Sequence, residues 1–318
     1  MSTAADRIEW TMHERRYQVG AVEVLLRSND RTVARAYDWA YRGSAVRRVR
    51  GARIAGGAAA RPAAVVLEAR RVGHWWRRDR CVEIYSNGQQ RATIRRAADA
   101  LAYLDWAANW AIATALPEFL LLHAACLERD GAGLVLAGQP ESGKSTLAAA
   151  LLLSGWRYLS DEFALVEPAS GWIDAYPKAL SLKGGTVALL RRGGWRVPAP
   201  RVCRVPGVGP VSVLPPTRVR ADAVAARCPV RTIVFPRVTP GGESTLRPVS
   251  EADALMRLNR CCFNFLDYRA GGIRILENLV RQADCHELCT SDLRRATESL
   301  AQAHHAARQR WRGWRVCA

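Results

Sequence analysis

The rhythm of apolar and polar positions divides the 318-residue chain into three stretches. Up to about residue 95 alternation dominates, and residues 17–26 and 63–68 predict strands in a β-rich, mixed region. Glycines and charges separate them, and Ser-Asn-Gly-Gln-Gln at 86–90 carries a turn signal. Residues 97–116 switch to helical spacing, with Leu101, Leu104, Trp106, Trp110 and Ile112 among the apolar positions, until Pro117 stops the helix. The tryptophans there read as core packing. Two strands follow at 119–129 and 132–137, joined by an Asp130-Gly131 turn. The second runs into a glycine-rich loop, then an Ala/Leu-rich helix over 145–154 capped by Gly155, then a short strand at 157–160. Residues 198–216, rich in Pro, Val and Arg, read as an extended loop. A further strand at 232–235 ends at Pro236, and beyond Pro248 the pattern is helical over 250–258, 272–283 and 291 to about 311.

This order predicts an α/β protein in three parts: a mixed α+β region at 1–115 with substrate recruitment as its candidate role, a core at 116–248, and a helical part at 249–318 packing on that core. The longest apolar stretch, 112–126, is interrupted by Pro117, Glu118 and His123, well short of the roughly 18 residues that a membrane helix needs. No secretory signal follows the first residues, so a cytoplasmic protein without a membrane partner is expected. The net charge of +18 invites a nucleic-acid partner, but only three of the 47 basic residues are Lys and the Arg are scattered throughout. That pattern fits a coding bias and a solvated basic surface, which disfavours nucleic acid while leaving acidic partners favoured. Nine cysteines lack any Cys-x-x-Cys pair, and Cys285, His286 and Cys289 have no second ligand pair, so no metal site is expected there.

The chemistry sits in the loop. Gly138, Gln139, Pro140, Glu141, Ser142, Gly143, Lys144 and Ser145 spell Gly-x-x-x-x-Gly-Lys-Ser, with Thr146 next, between a strand and a helix. Glycines let backbone N–H groups curl toward phosphate oxygens, and the helix start adds positive potential. Lys144 brings a compact charge to the β- and γ-phosphates, and Ser145 a hydroxyl for magnesium. A nucleoside triphosphate with Mg²⁺ is therefore expected. Asp161 and Glu162 lie 17 and 18 positions after Lys144, so one helix and a return strand place them beside the loop. Adjacent carboxylates there suit magnesium binding and proton removal from an attacking hydroxyl. His123, in the strand that precedes the loop's own strand, reads by itself as a core histidine.

His123, the loop and Asp161-Glu162 together resemble the catalytic core of bacterial HPr kinase/phosphorylase, over about 40 residues. The resemblance implies a P-loop kinase core of the HPr kinase C-terminal-domain type, which is PEP carboxykinase-like. It implies Asp161 as the base, Glu162 on magnesium where the family usually has Asp, and His123 placed to influence the base. The N-terminal part and the stretch after the acids depart from that family. With Tyr-Pro-Lys-Ala-Leu-Ser-Leu-Lys at 176–183, the late Phe-Pro and the helical end, the chain looks more like the HPr-kinase-related kinase A proteins, which accompany peptide-modification gene clusters.

Besides Lys144, the only lysines are Lys178 and Lys183, which suggests positions where a guanidinium does not fit; one of them is expected to contact the nucleotide or the phosphorylated residue. The combined reading is an ATP-dependent serine kinase acting on a protein or peptide, with a homo-oligomer allowed. A P-loop ATPase coupled to a partner, a nucleotide-binding scaffold and a small-molecule kinase of the same fold stay open as alternatives.

Overall fold

The computed structural model describes residues 12–41, 65–73 and 80–311. The first two residues of the strand expected at 63–68 lie outside this set. Strands β1 (His13–Val19) and β2 (Val22–Ser28) pair antiparallel, so the alternating stretch 17–26 is a hairpin rather than one strand. It reverses at Gly20, where φ is +60° and a Cβ would stand 1.9 Å from the Ala175 carbonyl oxygen. The hairpin tip docks there through Ala21 N–H, 2.9 Å from the same oxygen.

Helix α1 (Arg31–Tyr41) follows, with Asp30 Oδ1 accepting from Thr32 N–H at 2.7 Å at its start. Strands β3 (Val65–Val72), β4 (Cys81–Ser86) and β5 (Gln89–Ile94) complete a five-stranded sheet in the order β1-β2-β3-β4-β5. Helix α2 (Ala100–Ala115) packs Leu101, Leu104, Ala108 and Ile112 into the core of this region. Those residues occupy its inward face. Of the two tryptophans expected in the core, Trp106 is partly buried and packs against it, whereas Trp110 is 63% exposed and does not.

The second half is built on a nine-stranded sheet. Its first elements are β6 (Leu120–Arg129), β7 (Ala132–Ala137), α3 (Lys144–Leu153), β8 (Arg157–Ser160), β9 (Phe163–Val166) and β10 (Ile173–Asp174). Next, β11 (Leu180–Lys183), α4 (Thr186–Arg192), β12 (Arg201–Val205) and β13 (Gly209–Leu214) form a separate three-stranded sheet, β11-β13-β12, with the helix beside it. Much of the stretch read as an extended loop is thus a hairpin. Its prolines and glycines flank alternating inward residues, Cys203, Val205, Val211 and Val213, all buried.

The chain then returns through β14 (Arg227–Cys228), β15 (Val230–Val238), β16 (Thr245–Pro248), α5 (Glu251–Arg260), α6 (Phe265–Tyr268), α7 (Ala270–Arg281), β17 (Asp284–Thr290) and α8 (Leu293–Trp311). Strand β15 runs through Pro236 instead of stopping there. Its pairing with β7 ends at Val234, while its pairing with β17 continues, so the missing N–H of Pro236 breaks no bond to β7. Strand β17 also corrects the helical expectation for 249–318, since it lies parallel to β15 inside the large sheet.

The large sheet runs β14-β10-β9-β6-β7-β15-β17-β16, with β8 also on β6. Helices α3 and α8 share one hydrophobic cluster and α5 and α7 another, each also holding sheet residues. The parallel strands β7, β15 and β17 lie side by side, and ligands of such sheets bind outside the carboxyl ends of the strands. The loop after β7 lies at that end.

Candidate active site

Strand β7 is buried along its whole length and ends at Ala137; α3 begins at Lys144, leaving the six residues 138–143 to make the loop. Gly143 precedes the helix at φ +94°, a left-handed conformation that an L side chain resists. The loop curls round the Lys144 ammonium, which donates to the carbonyl oxygens of Gly138 and Gln139, both at 2.7 Å. Desolvation lowers the pKa of this ammonium, an effect opposed by the nearby Asp161 and Glu162.

Strands β8 and β9 pair with the same edge of β6, and the acid pair is the two-residue interruption between them. Ser160 faces Cys126 and Phe163 faces His123, so Asp161 and Glu162 lie opposite Ala125 and Ala124, one strand away from the loop's own β7. Alternation along β6 explains His123. Leu122, Ala124 and Cys126 point into the cluster with α5 and α7, whereas Ala125 and Leu127 point toward α3. His123 has the parity of the latter and faces the loop side.

The two carboxyls are driven apart. Asp161 is 3% exposed, and burial together with the charge of Glu162 raises its pKa to about 7, against the pull of Lys178, Ser145 and Lys144. The Ser145 hydroxyl donates to this carboxylate, while Asp161 Oδ1 has no hydrogen-bond partner. Glu162 goes the other way. Desolvation acts to raise it, but the Lys178 ammonium 3.8 Å from Oε1 and His123 Nε2 3.6 Å from Oε2 bring it down to about 2.

These groups line a cleft of about 440 Å³. Of the residues singled out in the sequence, it brings together His123, Pro140, Glu141, Gly143, Lys144, Ser145, Thr146, Asp161, Glu162 and Lys183. Gly138, Gln139 and Ser142 belong to the loop but do not line the cleft. Lys178 is absent from its wall as well. It is fully buried behind Glu162, and its ammonium makes no hydrogen bond.

Three cleft residues escaped sequence reasoning: Trp106 from α2, Ser181 from β11 and Thr186 at the start of α4. A further one lies deeper. Asp105, buried on α2, accepts from Tyr41 Oη at 2.8 Å, and desolvation raises its pKa to about 6 while Lys178 and Tyr41 hold it down. A carboxylate inside an otherwise apolar helix was the available signal, since such a group needs partners.

Among the described residues no group of three or more His, Cys, Asp or Glu is arranged to hold a metal ion, and Cys285, His286 and Cys289 are simply spread along β17. No described helix is long and apolar enough to cross a membrane.

No family model matches the chain, and no curated protein matches it. Among solved structures it is similar to the HPr(Ser) kinase/phosphatase from Coxiella burnetii, at 14% identity, over 59% of this chain and 98% of that one. The TM-score is 0.28, too low a likeness to bear on function, which rests on the geometry above.

Proposed function

We propose that the chain is an ATP-dependent phosphotransferase that carries the γ-phosphoryl group to a hydroxyl, a serine of a protein or peptide. The observation that carries this reading is Asp161. It is a buried carboxyl with a free oxygen, shifted to near-neutral pKa, in the same cleft as Lys144 and Ser145. A group poised there both takes and releases protons at physiological pH.

The residues fit the nucleotide and its metal. The start of α3 and the Lys144 ammonium give a positive seat for phosphate oxygens. Ser145, Glu162 and Asp161 offer hard oxygen donors, too few to cage an ion alone, as expected where phosphates complete the shell of magnesium. When bound, magnesium supplies charge neutralisation on the phosphate oxygens. Asp161 takes the proton of the attacking hydroxyl as its oxygen bonds to the γ-phosphorus, and the bond from that phosphorus to the β–γ bridging oxygen breaks. Lys144 faces the charge that develops on the transferring group. Lys178 and His123 keep Glu162 ionised, so one acid of the pair stays charged while its neighbour moves the proton.

The test uses γ-labelled ATP, the full-length protein and fractions of a lysate. Label is expected in a protein or peptide, and it should disappear with Asp161→Asn although that variant still binds nucleotide. Label found only in free phosphate rejects transfer in favour of hydrolysis.

A further inference from the structure

A concavity of about 900 Å³ lies apart from the cleft of Asp161. It lies where β5 and the start of α2 meet the hairpin of β12 and β13, and its rim carries Arg95, Arg96 and Arg204. The lone acid in its wall is Asp99, which is buried and already occupied: its Oδ1 accepts from Arg204 N–H at 2.8 Å, and Arg96 Nε is 3.6 Å from its Oδ2. The floor is apolar, with Ile94, Val205 and Tyr103. Both flanking strands are sheet edges. Among the described residues β5 pairs only with β4 and β12 only with β13, but Arg204 N–H of β12 already goes to Asp99, so β5 is the edge left for an extended segment.

This groove is joined to the cleft by one face of α2. Tyr103 lines the large groove and also a smaller hollow beside it, and Trp106 lines both that hollow and the cleft. Their rings meet edge to face with centroids 5.6 Å apart. Trp110, one turn further on, carries Arg91 over its ring at 5.4 Å. An aromatic track, flanked by arginines, thus leads from the groove to Asp161. That arrangement accounts for the exposure of Trp110 and for the part of Trp106 that the core leaves uncovered.

We propose that an acidic, extended segment of the acceptor polypeptide docks in this groove and lies along the Tyr103–Trp106 track, which delivers a nearby hydroxyl to Asp161. The inference rests on the kinase reading and names its substrate class. Charge complementarity with Arg95, Arg96, Arg204 and Arg91 selects the acidic segment. The open edge of β5 beside an apolar floor selects a polypeptide over a nucleic acid strand, because it offers backbone hydrogen bonds and side-chain pockets.

The probe is a fluorescein-labelled peptide, rich in Glu, with a single Ser, compared with the same peptide carrying Lys for Glu. Anisotropy with full-length protein should show binding of the acidic peptide alone. Arg95→Glu with Arg204→Glu should weaken it about tenfold or more, whereas the remote pair Arg281→Glu with Arg295→Glu, of equal charge change, should change it less than about twofold. Tyr103→Ala, on the track but outside the wall of the cleft, should lower transfer to the peptide while leaving ATP affinity as it was.

No binding by the wild type overturns the proposal, and so does equal weakening by both pairs. Tighter binding of a single-stranded RNA of the same charge, lost in the same groove variants, replaces it with a nucleic-acid site. The two readings fail separately. Peptide bound through the groove arginines but never labelled from γ-labelled ATP leaves the groove standing and sinks the kinase. Labelling that is indifferent to the groove variants does the reverse.

Discussion

Asp161 and Glu162 are chain neighbours with opposite shifts, and each makes a different statement about pH. Asp161 has its folded pKa raised from 3.8 to about 7, so between those values the folded chain holds a proton that the unfolded chain has released. Stability conferred by that proton is present at low pH and is lost as pH rises through the window. Asp161→Asn removes the loss. It should be more stable than the wild type at pH 8, on the order of 2 kcal/mol, with the gap closing below pH 4; urea unfolding at both pH values measures it. On the proposed function the same group sets activity. In the wild type kcat/KM should rise with pH through a midpoint near 7 and level off above it, and in Asp161→Asn kcat should drop by about 100-fold or more without that limb. Lys178 holds Asp161 down, so Lys178→Met should move the rising limb upward by about one pH unit. An unmoved limb would leave Lys178 as packing only. Glu162, depressed to about 2, stabilises the fold above its ordinary 4.5, and that contribution is lost as pH falls toward 2. Glu162→Gln strips a buried ammonium of its carboxylate, and with Asp105 and Asp161 still near Lys178 the cost should be about 2 kcal/mol. Adding Lys178→Met to that variant should recover part of it.

Among the elements, the strand-loop-helix unit depends most on one backbone angle. Gly143→Ala forces an L residue to φ +94° and sets a Cβ 3.0 Å from Val238 Cγ2. The expected result is a loss of about 1–2 kcal/mol in stability and about tenfold in ATP affinity, read by calorimetric titration. Val238→Ala in the same chain relieves the contact but not the angle, so it should rescue only part; full rescue would show that the angle is not limiting. This unit was legible in the sequence because glycine, lysine and serine are each needed there for a local reason. Strand β17 was not, since Cys285, His286, Glu287 and Cys289 carry little apolar signal and owe their place to pairing with β15. The hairpin of β12 and β13 hid behind prolines that sit at its ends and turn. Spacing brought Asp161, Glu162 and His123 to the loop, because one helix and one return strand leave few alternatives. Lys178 and Asp105 come within electrostatic reach across 73 residues of chain through tertiary packing, which no local pattern encodes.

For the molecule as a whole, the decisive feature is where one hydrophobic cluster stops and the next begins. The cluster that holds the first sheet, α1 and α2 also contains Leu121 of β6, Phe163 and Leu165 of β9, Tyr176, and Val211 and Val213 of β13. The boundary near residue 115 therefore crosses a shared core. Polar links cross it too: the β1–β2 tip on Ala175, and Arg204 N–H on Asp99; Asp105, held by Tyr41 within the first part, feels Lys178 across it behind the acid pair. Shared burial of this kind couples unfolding, since neither part can open without exposing apolar surface of the other. The full chain should consequently melt in a single calorimetric transition, with near-ultraviolet and far-ultraviolet dichroism coincident. A chain that starts at residue 116 should lose nucleotide binding along with its cooperative melt, because Leu121, Phe163 and Tyr176 lose their cover next to Glu162. Two resolved transitions, the later one retained in the shortened chain, would instead make the first 115 residues a separable module. The acid pair would then be organised by the large sheet alone, and Tyr41→Phe, which removes the hydrogen bond from Tyr41 to Asp105 in the first part, should leave the pH profile of kcat/KM where it was. If the core is shared as described, that same substitution should shift the profile, since Asp105 then rebalances the charge around Lys178 and through it Asp161.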